Sequence, residues 1–188
     1  MDFHLNRPRR QPAGLDASSW NRPLSEAPDA CDVLVVGAGP AGSACARWLA
    51  RAGASVLLAD QRRFPRDKVC GDGLVPDTLA ALDRLELREA VLAAGVRLRQ
   101  AHCVAPSQRT IGVPGDLAVV PRQVFDECLA QGAVDAGSVL LAPARFDAPW
   151  LEDGRVVGAT LSAEGASRRI RARWVVLATG AVPQGLIA

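Results

Sequence analysis

The spacing of apolar and polar positions along this chain changes several times, and each change marks an element. Val33 to Val36 is an unbroken apolar run with the length and β-branched content of a strand buried on both faces. From Ala41 to Ala52 the apolar residues move to helical spacing, which predicts Ala41, Ala44, Cys45, Trp48, Leu49 and Ala52 on one buried face. Gly53 stands where a glycine ends a helix. Ser55 to Ala59 predicts a second buried strand. Gln61 to Leu74 is too polar and too rich in glycine for a core element, so it predicts a long loop, and long loops inside compact domains usually serve function. Pro76 opens a helical stretch with Leu79, Leu82 and Leu85 in register, and a second short helix runs to Ala94 before Gly95.

The second half repeats the apolar run and then changes period. Val96 to Val104 predicts a strand, and Thr110–Val113 and Leu117–Val120 predict two more around Pro114-Gly115. Arg122 to Ala136 is helical, with Phe125, Cys128, Leu129 and Ala133 as its buried stripe and Gly137 as its cap. Val139 to Leu141 predicts a short buried strand. Arg145–Leu151, Arg155–Leu161 and Ser167–Ala172 then form a β-meander, with turns at Asp153-Gly154 and Glu164-Gly165. Trp174 to Gly180 predicts a last buried strand ending in Ala178-Thr179-Gly180. Arg168, Arg169, Arg171 and Arg173 fall on alternating strand positions and predict a solvated meander face, not a basic binding patch.

The first strand meets the first helix at Gly37-Ala38-Gly39-Pro40-Ala41-Gly42, a G-x-G-x-x-G sequence. Gly37 permits the turn out of the strand, Gly39 lets a pyrophosphate approach the backbone, and Gly42 lets the helix pack close to the strand. Pro40 suits the first helical turn, where its missing N–H has no intrahelical partner. The remaining N–H groups and the helix dipole then face the phosphates. Glycines alone would be weak evidence of this. Here strand, glycines, helix and strand arrive in order, and Asp60 ends the second strand about 20 residues on, where an acid binds a ribose diol. A ligand bearing ADP or a dinucleotide is therefore predicted.

Composition narrows the picture. Of 188 residues 49% are hydrophobic, enough for a substantial core, and the net charge of +2 gives no reason to expect nucleic acid. Five cysteines, at 31, 45, 70, 103 and 128, form no C-x-x-C pair. They argue against a disulfide frame or a metal site and for a reducing, cytoplasmic compartment. His4 and His102 are the only histidines, so no Ser-His-Asp site can be built on them. No apolar run approaches the roughly 20 residues needed to span a bilayer. Residues 1–30 carry four prolines and four arginines balanced by four acids, and predict a disordered tail ahead of a domain over 31–188.

The glycine turn, the strand-end acid and the late Ala178-Thr179-Gly180 strand end together resemble the FAD-dependent oxidoreductases of the p-hydroxybenzoate hydroxylase type. Lys68-Val69-Cys70-Gly71-Asp72-Gly73-Leu74 resembles the signature of the geranylgeranyl reductase family, which neighbours flavin-dependent halogenases and monooxygenases. Arg122-Gln123-Val124-Phe125-Asp126-Glu127-Cys128-Leu129 resembles that family's R-x-x-F-D-x-x-L helix start. The resemblance spans about residues 31 to 188. It implies an α/β fold: a Rossmann-like FAD-binding domain with a parallel sheet and an inserted antiparallel β-meander.

By that resemblance FAD is the cofactor. Gly37, Ala38, Gly39, Pro40, Ala41 and Gly42 would cradle its pyrophosphate, and Asp60, followed by Gln61 and Arg62, would hold the adenosine ribose. Cys70 and Gly71 would lie along the flavin, with Cys70 the candidate catalytic residue. Arg122 would reach the phosphate or ribityl region, and Thr179 and Gly180 would close over the cofactor. Two departures stand out: the family more often has glutamate at position 60, and many relatives have G-A-D-G where this chain has Ala178-Thr179-Gly180-Ala181. Family members also continue well past this strand, so the chain is expected to be the amino-terminal part of a longer protein. The implied activity is reduction of an apolar, isoprenoid-like small molecule. The electron donor is left open, with NAD(P)H one candidate, and peripheral membrane contact is compatible. The rivals are a flavin monooxygenase or halogenase, a nucleotide-binding fragment without turnover and, third, a plain NAD dehydrogenase.

Overall fold

In the computed structural model residues 20–181 are described. Their elements, in chain order, are a 3-10 turn (Leu24–Glu26), β1 (Ala30–Val36), α1 (Pro40–Arg51), β2 (Val56–Ala59), β3 (Gly73–Leu74), α2 (Pro76–Leu85) and α3 (Arg88–Leu92). There follow β4 (Val96–Val104), β5 (Thr110–Val119), α4 (Arg122–Asp135), β6 (Val139–Leu141), β7 (Arg145–Glu152), β8 (Arg155–Ala163) and β9 (Ala166–Leu177). The chain divides into two units, Met1–Phe64 with Leu129–Ala188, and Pro65–Cys128.

The first unit is built on a six-stranded sheet in the order β6-β2-β1-β9-β8-β7. β1 pairs in parallel with both β2 and β9, and β2 with β6, while β8 pairs antiparallel with both β7 and β9. The α/β class and the inserted meander are thus as expected. Both faces of β1, β2 and β6 are covered, which is why these strands read as unbroken apolar runs, whereas at the parallel end of β9, expected to be buried, Trp174 is 69% and Leu177 49% exposed. On one face Leu34, Val36, Leu57 and Leu141 pack with Leu24 and with Leu161, Ile170 and Ala172 of the meander. On the other, Val33, Val35, Val56 and Leu58 pack with Ala46 and Ala50 of α1 and with Ala130 and Ala133 of α4. Leu34 and Val35 are fully buried. Each such side chain is worth about 1.5–3 kcal/mol against exposure.

Further expectations need correction. The buried stripe of α1 is Gly42, Ser43, Ala46 and Ala50, with Cys45 and Leu49 half-buried; Ala41, Trp48 and Ala52 face outward, and Trp48 is 50% exposed. The face toward the sheet is thus rotated from the one that the apolar spacing predicts, and its fully buried positions carry small side chains. The strands expected at 167–172 and from 174 are one strand, β9, which closes the meander and then runs in parallel beside β1. The two strands expected around Pro114-Gly115 are likewise one, β5. Pro114 is tolerated because β3 pairs only with Ala118 and Val119, so β5 has a neighbour on one side there, and the β4–β5 register shifts between Leu98 and Gln100. Finally, the tail expected over residues 1–30 falls outside the described residues as far as residue 19, but within 20–29 Arg22, Leu24 and Ala27 are buried. Leu24 is 4% exposed, and Arg168 donates to the Ser25 carbonyl at 2.9 Å and to Asp29 at 2.8 Å.

The second unit carries α2, α3, the β3-β5-β4 sheet and the start of α4. Pro76 and Pro40 both occupy first-turn helical positions, as their missing N–H groups favour. Leu79, Leu82 and Leu85 of α2 are buried, with Val91 and Leu92 of α3. Arg88 pairs with Asp83 and Asp116. β3 lies inside the stretch expected to be wholly loop. His102, on β4, is exposed.

Candidate functional site

The first unit gathers Gly37 to Gly42, Asp60 to Arg62, and Thr179 and Gly180 at the carboxyl ends of β1, β2 and β9. That is where open α/β sheets bind ligands. Gly37 has φ +99°, and a Cβ there would lie 2.4 Å from the Ala178 carbonyl oxygen and 3.1 Å from the Thr179 Cα. The end of β9 therefore rests directly on the turn. A Cβ on Gly42 would lie 1.7 Å from the Gly37 carbonyl oxygen, so that glycine sets the closeness of helix to strand. Gly39 is different. At φ −73° and ψ −175° its backbone is open to any residue, so this conformation does not require a glycine.

Backbone bonds tie the three strand ends together. The Gly37 N–H donates to the Ala59 carbonyl at 2.7 Å, and the Ala178 N–H to the Val36 carbonyl at 2.7 Å. Asp60 is buried; its Oδ2 accepts the Ala38 N–H at 2.9 Å and its Oδ1 accepts the Arg62 N–H at 3.0 Å. Ser43, fully buried, donates its hydroxyl to the Ala38 carbonyl at 3.1 Å. The peptide groups flanking Ala38 are thus held on both sides, the N–H by the acid and the C=O by the serine. Sequence reasoning missed Ser43. Its signal was a small hydroxyl residue one position after the last glycine, where it can return a hydrogen bond to the turn. Beside Asp60, Gln61 lines a cavity of about 490 Å³ with Pro143, Arg145, Asp147 and the Ser162–Ser167 hairpin.

The second unit holds the remaining predicted residues, Cys70, Gly71 and Arg122. Cys70 and Gly71 are exposed, and a Cβ on Gly71 would meet nothing within 4 Å. Arg122 grips Asp126 one turn along α4 with two bonds, Nε to Oδ1 at 2.8 Å and Nη2 to Oδ2 at 3.0 Å. Asp126 is 0% exposed and is also paired with Arg66 at 3.1 Å. The Asp126 carboxylate, with a smaller contribution from the Cys70 thiol, pushes the Arg122 guanidinium above its ordinary range. The Arg122 backbone N–H, at the start of the helix, donates to Asp72 at 3.0 Å. Asp126 is a second residue the pattern did not single out, because an acid on the buried stripe reads as an interruption of it.

The FAD binding domain family matches residues 30–183. The chain belongs to that family. Gly39 carries no side chain although its backbone does not require a glycine, which is compatible with the close approach of the FAD that this family binds. Among curated relatives it is 38% identical over 157 residues to the menaquinone reductase of Mycolicibacterium smegmatis, covering 72% of this chain and 37% of that one. It is 36% identical over 150 residues to digeranylgeranylglycerophospholipid reductase 2 of Methanopyrus kandleri, covering 79% and 37%. Among solved structures it is similar to a myxobacterial chondrochloren halogenase, with TM-score 0.75 and 26% identity, covering 81% of this chain and 38% of that one. It is also similar to a geranylgeranyl bacteriochlorophyll reductase-like protein of Thermoplasma acidophilum, with TM-score 0.72 and 28% identity, covering 81% and 40%. The chain spans well under half the length of these relatives. Among the described residues no group of three or more His, Cys, Asp or Glu side chains could hold a metal ion, and no helix is long and apolar enough to cross a membrane.

Proposed function

We propose that this chain is the FAD-holding part of a flavin-dependent reductase whose substrate is an apolar isoprenoid or quinone. The corner where Gly37, Asp60 and Ala178 meet carries the reading. It sets a glycine turn, a buried acid and a third strand end around one point. Gly39 would admit the pyrophosphate to the backbone, and the first-turn N–H groups of α1, which have no intrahelical acceptor, would face it. A carboxylate presents about four acceptor sites. Asp60 can therefore hold the turn and still receive hydroxyls of the adenosine ribose. Thr179 and Gly180 would close over the cofactor from β9. When bound, FAD supplies a two-electron carrier able to exchange hydride with a substrate, and the protein contributes position and electrostatics.

In the second unit, Cys70 and Gly71 would line the flavin. The grip of Asp126 would aim Arg122 as a fixed positive group toward the phosphate or ribityl chain. Cys70→Ser should change turnover or product pattern in a protein of the relatives' full length without lowering stability. Loss of stability alone would make the thiol a packing residue. The substrate class rests on the names of the relatives, a quinone reductase and an isoprenoid-lipid reductase. Such substrates suit peripheral membrane contact. The cytoplasm is the proposed compartment.

Titration of the chain with FAD and with NADP tests the cofactor. FAD should bind more tightly, because Asp60 opposes a 2′-phosphate on the ribose; the reverse order would overturn the reading. A second reading, oxygen-dependent halogenation or hydroxylation, is favoured by the likeness to the halogenase structure. Product analysis with and without oxygen separates the two, since a reductase forms its product anaerobically.

A further inference from the structure

The family match begins at residue 30, yet residues 20–22, ahead of it, are bound to Phe64 and to the edge of β6. Asn21 makes a two-way bond with the backbone of Phe64. Its Nδ2 donates to the Phe64 carbonyl at 2.9 Å, and its Oδ1 accepts the Phe64 N–H at 3.0 Å. The carboxamide thus does for Phe64 what a neighbouring strand would do. Trp20 packs on the Phe64 ring, with centroids 5.6 Å apart and planes inclined at 48°. Phe64 in turn is buried against the face of the sheet that α1 covers.

Arg22 anchors the same segment to the sheet. Its N–H donates to the Leu140 carbonyl at 2.9 Å, and its own carbonyl accepts the Ala142 N–H at 2.9 Å. It therefore pairs in parallel with Leu141 at the edge of β6. The Leu141 carbonyl accepts the Asp60 N–H at 3.0 Å, and the Ala144 N–H donates to the Asp60 carbonyl. The segment ahead of the domain consequently holds both ends of one short loop. Arg22 reaches Asp60 through β6, and Asn21 fixes Phe64 four residues later. Between them lie Gln61, Arg62 and Arg63, whose N-terminal end is set by the bond from the Arg62 N–H to Asp60.

We infer that residues 20–22 are a brace for the Asp60–Phe64 loop and that Asn21 is a positioning residue for the adenosine end of the nucleotide. The inference rests on the FAD reading above for its ligand but not for its geometry. Without Asn21 the Phe64 N–H and carbonyl lose these two bonds, and the Phe64 end of the loop is held less tightly. Gln61 and Arg62 would then sample several positions beside the ribose acid. Each position that cannot receive the ligand lowers the apparent affinity in proportion to its population.

The test compares the whole wild-type chain with Asn21→Ala and Asn21→Asp in two measurements. Hydrogen exchange of the 61–64 backbone should speed up at least tenfold in Asn21→Ala while β1 and β2 are unchanged. Asn21→Asp, which keeps the acceptor for the Phe64 N–H, should restore most of the protection at Phe64. Unchanged exchange at 61–64 in Asn21→Ala would overturn the brace. Titration with ADP and with FAD should show about tenfold weaker binding in Asn21→Ala, a change that global destabilisation of a still-folded protein would not produce. Equal affinity in a variant whose loop has opened would overturn the positioning role. A wild-type chain that binds neither ligand would refute both the FAD reading and that role, while exchange would still decide the brace.

Discussion

Asp60 accepts the backbone N–H of Ala38 at 2.9 Å, so the acid at the end of β2 also closes the glycine turn at the end of β1. The residue proposed to recognise the ribose is therefore part of what shapes the phosphate loop. Asp60→Ala removes both functions. It should weaken FAD binding about ten- to a hundredfold, the loss of one or two charge-assisted hydrogen bonds. Asp60→Asn retains an acceptor for only one of the two backbone N–H groups and should fall between wild type and Asp60→Ala. Fluorescence titration of the three proteins checks the order. An unaltered affinity in a folded Asp60→Ala variant would leave the carboxylate a purely structural role.

Gly42 and Gly71 separate a glycine needed by the fold from one available to a ligand. Gly42→Ala would drive a methyl group into the Gly37 carbonyl, a backbone atom that cannot rotate away. A cost of about 3 kcal/mol is expected, at the upper end for overpacking. In a chain of this size that lowers Tm by about 6–12 °C. Gly71→Ala meets open space and should leave Tm within about 1–2 °C of wild type, a surface substitution within about 0.5 kcal/mol. Any loss of FAD affinity in Gly71→Ala would then report contact with the cofactor itself. Thermal melts alongside titrations distinguish the two.

Asp126→Asn leaves the Arg66 and Arg122 guanidiniums facing a neutral amide in a buried place. Removing one partner of such a cluster costs about 3–5 kcal/mol. Hydrogen exchange should show the loss concentrated in the second unit, around the first turn of α4. Arg122→Lys should be milder in stability but still break the two-bond grip, because an ammonium cannot reproduce the planar fork. A protective effect of Asp126→Asn would contradict the pairing.

Acid sensitivity should trace in part to Asp32, at the start of β1. The Ser55 backbone N–H holds its carboxyl below the ordinary aspartate value, with the Ser55 hydroxyl and Arg173 assisting. A carboxyl whose pKa is depressed by folding adds stability above its unfolded pKa and loses it as pH falls through the folded one. Wild type should thus lose a small part of its stability as pH drops through and below about 3.8–3.9, the ordinary range for aspartate. Asp32→Asn should be less stable at neutral pH and show a shallower acid limb. The effect should be modest, since the Asp32 side chain is 38% exposed. Melts from pH 7 down to pH 3 measure it.

Much of this was legible in the sequence because it was local. The unbroken runs of β1, β2 and β6, the glycine turn and Asp60 all declare themselves within a few residues. What was not legible depended on distance across the fold. Trp48 reads as core by helical spacing, but the face that meets the sheet is that of Gly42, Ser43, Ala46 and Ala50, with Cys45 and Leu49 half-buried beside it. Asp126 breaks an apolar stripe until Arg66 and Arg122 are seen to surround it. Residues 20–22 have a tail's composition and are held by Phe64 and Leu140, partners far along the chain that no local pattern can announce.

β9 has one further consequence. It is a single strand of 12 residues whose first half is set by β8 and whose second half is set by β1. Its pairing is therefore a ruler laid between the meander and the Gly37 turn. A slip of one residue against β8 would turn Arg169 and Arg171 toward the core in place of Ile170 and Ala172. The same slip would carry Ala178 and Thr179 off Gly37. A meander distant from the glycine loop in sequence thereby fixes that loop's neighbour to within one residue, and an error in hairpin register would be read out as a malformed nucleotide site.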